Sequence, residues 1–401
     1  MLTDMVKQAV WRIIFFGFFL TLMTDASAEK DDDYIFSRVD YQTGLSHSAV
    51  LSIYQDNSGL MWLGTYDGVN CYDGKAIEVF RSDTSTDFTL SNNVIHSICQ
   101  APGGHLWLNT HLGLDLFCPE MRQVREVFSF GSREYSIHSN RRGDTWVICE
   151  DKVRYYNTLH HKFCTASPEV PATDFSGNRA FVTDNGELWH LPSGTGNINI
   201  YSVSSFSSDS TEVRTCSFTM DFHSGTVSEM FYHNGLICFV DDSGGLYVYD
   251  ITRKSKIYIR NISDLLNKYG AIGGIVPFYE DVIIGFRTNG LVRLRMSENY
   301  AVEEIDRNIR IYGLYSDSTQ GILWIATDGQ GAMLYSKEVS IAANLMLSSL
   351  SPNLARPVRS IMADSSGGLW FGTKGDGIVN VPGFFWGGGS LDKEGYTVFV
   401  P

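Results

Sequence analysis

The chain has 401 residues, with 31 Lys and Arg against 45 Asp and Glu, a formal net charge of −14. No run of basic residues breaks that acidic balance, so the electrostatic footprint of a nucleic-acid or anionic-membrane binder is missing. The seven cysteines (Cys71, Cys99, Cys118, Cys149, Cys164, Cys216, Cys238) show no CxxC or other metal-ligand spacing, and an odd number cannot all pair internally. Buried free thiols are expected, with one disulfide left open and neither metal nor cofactor called for.

In chain order, residues 1–28 read as a secretory signal. Lys7 and Arg12 precede the apolar run Ile13 to Met23, and Ala26-Ser27-Ala28 supplies small residues for cleavage after Ala28. That run is shorter than the ~20 residues a membrane-spanning helix needs. No later stretch is longer in apolar residues, so an exported, periplasmic mature chain without membrane contact is expected. A leading strand follows at Tyr34 to Asp40, with no obvious partner beside it in sequence.

Four segments then repeat one pattern: DNSGLMWLGTYDGVNCY ending at Tyr72, GGHLWLNTHLGLDLF ending at Phe117, TQGILWIATDGQGAMLY ending at Tyr335 and SSGGLWFGTKGDGIVNV ending at Val381. In each, a Trp (Trp62, Trp107, Trp324, Trp370) is followed three residues later by Thr (Thr65, Thr110, Thr327, Thr373), then by Gly and a second apolar run. This is a β-hairpin, copied along the chain. In the first unit, Ala49 to Asp56 reads as the innermost strand, GLMWLGT as the second, GVNCYD as the third and Ala76 to Ser82 as the outermost. The Asp-x-x-Gly turns, as at Asp56 to Gly59 and Asp364 to Gly367, follow from turn chemistry alone: Asp caps backbone N–H groups and Gly supplies positive φ. Worn copies occupy the middle of the chain, where Ile262 to Gly270 is the single helical stretch expected.

Taking Gly68, Gly113, Gly186, Gly245, Gly290, Gly331 and Gly377 as turn marks, with a degenerate turn at Glu150-Asp151-Lys152, the period is about 44 residues. Several short strands per unit at that period indicate an all-β fold, a β-propeller of four-stranded antiparallel blades. The expected division is a seven-bladed ring over residues 29–345 and the first blade of a second, incomplete ring over 346–401. A closed eight-bladed ring is the alternative. The recurring Trp residues, Trp146 included, are expected between blades as packing groups.

The string from Gly44 to Gly74, with Leu-Ser, Asp-x-x-Gly, Trp-x-Gly-Thr and Tyr-Asp-Gly in order, resembles the two-component regulator propeller repeat. So do TLSNNVIHSICQAPGGHLWLNTHLGLDLF and RPVRSIMADSSGGLWFGTKGDGIVNV. The resemblance implies the periplasmic sensor region of a hybrid two-component system of the polysaccharide-utilisation type, non-enzymatic here, recognising a glycan-derived oligosaccharide and dimerising in the full-length sensor. Kinase, receiver and DNA-binding motifs are not found in these residues, so truncation before the kinase is expected. A free-standing carbohydrate- or protein-binding scaffold is the alternative, and a propeller lyase or glycosidase a second one. For the latter, SNRRGDTW (Ser139 to Trp146) approaches the sialidase Asp-box, but Arg141 stands in place of the Asp.

In a propeller, the turns between second and third strands gather round one mouth of the central channel, where loops vary on a rigid scaffold. That topology nominates Tyr66, Asp67, His111, Asp151, Asp184, Asn185, Asp241, Asp242, Arg287, Asn289, Asp328, Gln330, Lys374 and Asp376 as ligand-binding candidates, with aromatic, amide and acidic groups suited to sugar hydroxyls. No catalytic residue is nominated. The adjacent His160 and His161 point to opposite sides of the chain and are not expected to share a metal.

Overall fold

A computed structural model describes residues 34–83, 88–131, 135–149, 152–167, 179–192, 197–206, 210–218, 226–337, 347–382 and 395–400. The expected signal segment and Asp151 lie outside the described residues. The chain divides into two compact units, Met1–Lys337 and Glu338–Pro401.

In the first unit, β1 (Tyr34–Val39) precedes sets of strands that each run from the inside of the molecule outward. The first set is β2 (Val50–Gln55), β3 (Met61–Thr65), β4 (Gly68–Tyr72) and β5 (Ile77–Phe80), the second β6 (Ile95–Gln100), β7 (Leu106–Thr110), β8 (Leu114–Cys118) and β9 (Gln123–Phe128). The third is β10 (Tyr135–Ser139), β11 (Thr145–Cys149), β12 (Val153–Asn157) and β13 (Lys162–Ser167), the fourth β14 (Ala180–Val182), β15 (Leu188–His190), β16 (Ile198–Phe206) and β17 (Ser210–Phe218). The fifth is β18 (Val227–His233), β19 (Leu236–Asp241), β20 (Gly245–Asp250) and β21 (Ser255–Asn261). Helix α1 (Ser263–Tyr269) leads to the sixth set, β22 (Ile272–Phe278), β23 (Asp281–Phe286), β24 (Leu291–Arg295) and β25 (Ala301–Asp306). The last is β26 (Ile311–Asp317), β27 (Ile322–Thr327) and β28 (Ala332–Lys337), to which β1 adds the outer strand, Tyr34 opposite Lys337 and Val39 opposite Ala332.

The innermost strands β2, β6, β10, β14, β18, β22 and β26 contact one another in turn, and β26 returns to β2. This cyclic order leaves the inner edges facing a common channel. The apolar core is cut into layers between neighbouring sets: Trp62 and Val69 pack on Ile95, Leu106 and Phe117, Trp107 packs on Ile137 and Val147, and Trp324 on Met61 and Leu63. Trp62, Trp107, Trp146 and Trp324 are all buried, as packing residues should be.

The conserved-looking repeat elements have separate physical jobs. Leu45 and Leu90 are buried, while the Ser46 N–H donates to Asn70 (2.9 Å) and the Ser91 N–H to Asp115 (2.8 Å), tying each inter-blade connection to the blade it enters. Thr65 Oγ1 donates to the Gly68 carbonyl (2.9 Å) and accepts from the Asp67 N–H (3.0 Å), closing the second hairpin turn, and Thr327 repeats both contacts with Gly331 and Gln330. Asp56 accepts from the Ser58 and Leu60 N–H groups and from Trp62 Nε1 (2.7 Å), so its carboxylate is occupied by its own hairpin.

One adjacency departs from independent blades. The outer strands β13 and β17 pair in parallel, Thr165 opposite Ser210 and Ala166 opposite Thr211, which merges the third and fourth sets into one eight-stranded sheet. All seven cysteines are free; Cys118, Cys149, Cys164 and Cys238 are buried, whereas Cys216 on β17 is exposed and so departs from the buried expectation.

The second unit holds one four-stranded sheet, β29 (Val358–Ala363), β30 (Leu369–Thr373), β31 (Ile378–Val381) and β32 (Thr397–Phe399). Leu347, Leu350 and Leu354 pack on Leu369, Phe371, Val379 and Val381. Its Trp370, unlike the ring tryptophans, is only half-buried, and Ile361, Met362 and Phe399 are exposed. Among the described residues no helix is long and apolar enough to cross a membrane.

Candidate functional site: the central channel

The channel enclosed by the inner strands has a cavity volume of about 510 Å³. An inner strand hydrogen-bonds on one side only, so side chains along the channel are free to vary without breaking the sheet. The wall includes Tyr54, His96, His138, His233, Tyr312 and Tyr315, with open space beside the bare backbone of Gly313.

Burial sets the charge of this wall. His138 and His233 are pushed down to about 4, each mainly by burial, with His190 beside the first and Arg141 beside the second as lesser causes. His96 is lowered by burial and by His111, whose ring centroid lies 5.9 Å away. The imidazoles are therefore neutral at pH 7 and present one donor and one acceptor each. No group of three or more His, Cys, Asp or Glu able to hold a metal occurs among the described residues.

The two ends of the channel differ. At the end formed by the turns between second and third strands, Tyr66 is exposed, with the His47 ring edge-on at 5.5 Å. The Tyr312 phenol is raised by burial first, then by Asp328 and Tyr66 beside it. Tyrosine faces next to a carboxylate and imidazoles offer both a stacking surface and directional hydrogen bonds for a polyhydroxylated ligand. The opposite end, formed by the turns between first and second strands, carries Arg141, which donates to the Tyr315 hydroxyl across the ring (3.0 Å).

The nominated residues are distributed as follows. Tyr66, Asp67, His111, Asp242, Arg287, Asn289, Asp328 and Gln330 occupy second-to-third-strand turns of the ring. Asp67 is held by Arg81 (2.9 Å) and Asp328 by Arg310 (3.4 Å). Asp242 accepts from the Thr226 N–H and hydroxyl. Asp241 is a buried turn cap, accepting from the Ser243 and Gly245 N–H groups, and presents nothing to solvent. Asp184 and Asn185 are corrected: they lie between β14 and β15, the first and second strands of their set, and so belong to the opposite end. Their turn copies Asp56 to Gly59 rather than Tyr66 to Gly68, and the shortness of β14 and β15 hides the shift. Asp184 is the one nominee in the channel wall. Lys374 and Asp376 belong to the second unit, where Asp376 binds Arg356, and are not part of this mouth.

Tyr54, His96, His138, His233, Tyr312 and Tyr315 lie on first strands rather than in turns, and Arg141 in a first-to-second-strand turn, so none falls among the second-to-third-strand turns that topology nominates. The available signal was their position: His and Tyr recurring in first strands whose second-strand neighbours are apolar.

Residues 44–67 and 354–375 match the two-component regulator propeller family. An 82-residue stretch is 32% identical to histidine kinase P4 of Formosa agariphila, covering 20% of this chain and 6% of that protein. The extracellular domain assigned to a hybrid two-component system of B. thetaiotaomicron superposes with a TM-score of 0.54 at 22% identity, over 87% of this chain and 48% of that one. A second B. thetaiotaomicron extracellular domain, assigned to a one-component system, gives 0.55 at 16% identity, over 86% and 46%. The RRP9 WD40 repeats give 0.52 at 9% identity, over 77% and 98%. The chain spans about half the length of the two bacterial structures, and at these identities the likeness is one of fold. The ring thus has a β-propeller fold, and residues 44–67 within it and 354–375 in the second unit match the two-component regulator propeller repeat.

Proposed function

We propose that this chain is the sensor-type propeller region of a two-component system, exported to the periplasm, where it binds an oligosaccharide released from a glycan and does no chemistry on it. The observation that carries the reading is the Tyr66–Tyr312–Asp328 mouth above a channel walled by neutral imidazoles and phenols, on a chain bearing this family's repeats. In this reading the ring is a seven-bladed propeller, the sheet of the second unit opens another ring, and the signal leaves through kinase segments of a longer gene product that controls polysaccharide utilisation.

Calorimetric titration of the purified chain with a panel of plant and host oligosaccharides tests the binding. One or more should bind with micromolar to millimolar Kd, and Tyr66→Ala with Tyr312→Ala should weaken it at least about tenfold, the loss of stacking being worth ~1 kcal/mol or more per ring. Binding unchanged in the double variant would remove this mouth from the reading, and turnover of any glycan would replace it with an enzymatic one. Sequencing the coding DNA past codon 401 tests the rest: an in-frame kinase supports the sensor, and an unrelated gene after a stop codon sinks it.

A further inference from the structure

We infer that the end of the channel formed by the first-to-second-strand turns is an anion site, in which Arg141 receives a carboxylate or sulfate group of the ligand. The inference rests on the proposed sensor reading only for what carries the anion.

Arg141 lies in the turn between β10 and β11, and its guanidinium reaches the far side of the ring, where Nη2 donates to the Tyr315 hydroxyl on β26 (3.0 Å). Tyr315 in turn donates to Gln55 Oε1 (2.8 Å), and Gln55 Nε2 donates to Asp317 Oδ2 (2.9 Å). The phenol proton is thereby committed to Gln55, leaving a lone pair for Arg141, and the guanidinium is held over the channel. Asn57 Nδ2 donates to the Arg141 carbonyl (3.2 Å) and fixes the turn from a second blade. The charge is felt at Tyr54, His233 and Tyr315, on three other blades, which places it among them all.

A guanidinium has five N–H donors in a planar fork, and among the described residues one of Arg141's is used. Arg141 is the one Lys or Arg in the channel wall, and among the described residues no carboxylate is within ion-pairing distance of it. Several other arginines of the chain are paired. Arg142 pairs with Asp144, Arg81 with Asp67, Arg293 with Asp281, Arg295 with Glu303 and Arg310 with Asp328. An excess of acidic residues makes a partner easy to supply, yet the arginine aimed into the channel has none. The remaining fork suits the two oxygens of a carboxylate or sulfate.

The test is calorimetric titration with three probes: trigalacturonate, its methyl ester, which keeps the sugar and removes the charges, and sodium sulfate. The acid should bind at least about tenfold tighter than the ester, the range of a bidentate charge-assisted pair. Arg141→Gln should reduce that preference to within about twofold, while Arg141→Lys keeps part of it, as a point charge without the fork. Equal binding of acid and ester, a preference that survives in Arg141→Gln, or no binding of acid and sulfate alike would overturn the inference. Sulfate bound through Arg141 with no oligosaccharide bound upholds the anion site and removes the carbohydrate reading. Acid and ester bound equally does the reverse. The thermal midpoint of each variant, unchanged with Arg141 exposed at the turn, shows that a lost preference is not lost folding.

Discussion

Asp115 is the residue at which a repeat element has changed its chemistry. At the matching place in the first blade, Asn70 accepts from Ser46 with its oxygen and donates to the Leu63 carbonyl and Ser46 Oγ with its nitrogen. Asp115 keeps the accepting half, from the Ser91 N–H, but its Oδ1 is buried without a hydrogen bond. Burial raises its pKa to about 6, against the Ser91 hydrogen bonds that lower it. A carboxyl raised above its unfolded value stabilises the fold when protonated, at low pH, and that contribution is lost as pH climbs from about 4 through about 6. Asp115→Asn should restore the donor, so the variant should match the parent near pH 4 and exceed it by about 1–3 kcal/mol at pH 7.5. Urea unfolding at the two pH values reads the difference, and a variant less stable at pH 7.5 would show that the site is not Asn-like. Trp62, Thr65, Ser46 and Leu45 were legible in the sequence because each has a fixed partner inside its own repeat. The channel wall was not, because a residue such as Arg141 has its partners, Tyr315 and Asn57, in other blades and leaves no local pattern.

The element that closes the molecule is β1, and its hold is side chain as well as backbone. Tyr34 stacks on Tyr335 at 4.6 Å between centroids, and the Arg293 guanidinium lies 4.5 Å over the Tyr34 ring, a contact from the neighbouring blade. Gly331, at φ 78°, turns directly against this strand, so an added Cβ would meet the Val39 carbonyl oxygen. Gly331→Ala should therefore cost about 2 kcal/mol or more, from the left-handed backbone and the collision together, whereas Gly59→Ala, at φ 90° with open space around it, should cost about 1 kcal/mol. Equal losses in denaturant unfolding would show that closure does not bear on Gly331. Tyr34→Ala should cost about 3 kcal/mol, within the range for a large aromatic removed from a packed site. The leading strand was readable as a strand without a neighbour, since pairing with β28, some 300 residues later, cannot be encoded nearby. Asp184 shows the converse failure: a Gly-containing turn was correctly seen and assigned to the wrong end, because Asp-x-x-Gly and Asp-Gly turns look alike once their strands shrink to three residues.

At the scale of the molecule, each unit contains its own apolar clusters, with Leu347, Leu350, Leu354, Leu369, Phe371, Val379 and Val381 gathered in one of their own. A chain ending at Lys337 should then keep the thermal midpoint of the ring within a few degrees, as read by calorimetry; a collapse of the ring would show that the second unit supports it. The division into repeats was legible from one period, because every blade must solve the same packing problem with the same residue types.

The parallel seam between β13 and β17 makes the joints of this ring unequal. Elsewhere among the described residues no strand of one set pairs with a strand of the next, but here two strands of different sets are laddered together. Blades three and four should breathe as a single plate, with the Thr211 and Glu212 amides exchanging with deuterium only when that plate tears. Arg141 sits on the plate and Tyr315 faces it across the channel. Whatever displaces the arginine therefore pulls on a stiff double blade, and the give must appear at the other joints of the ring.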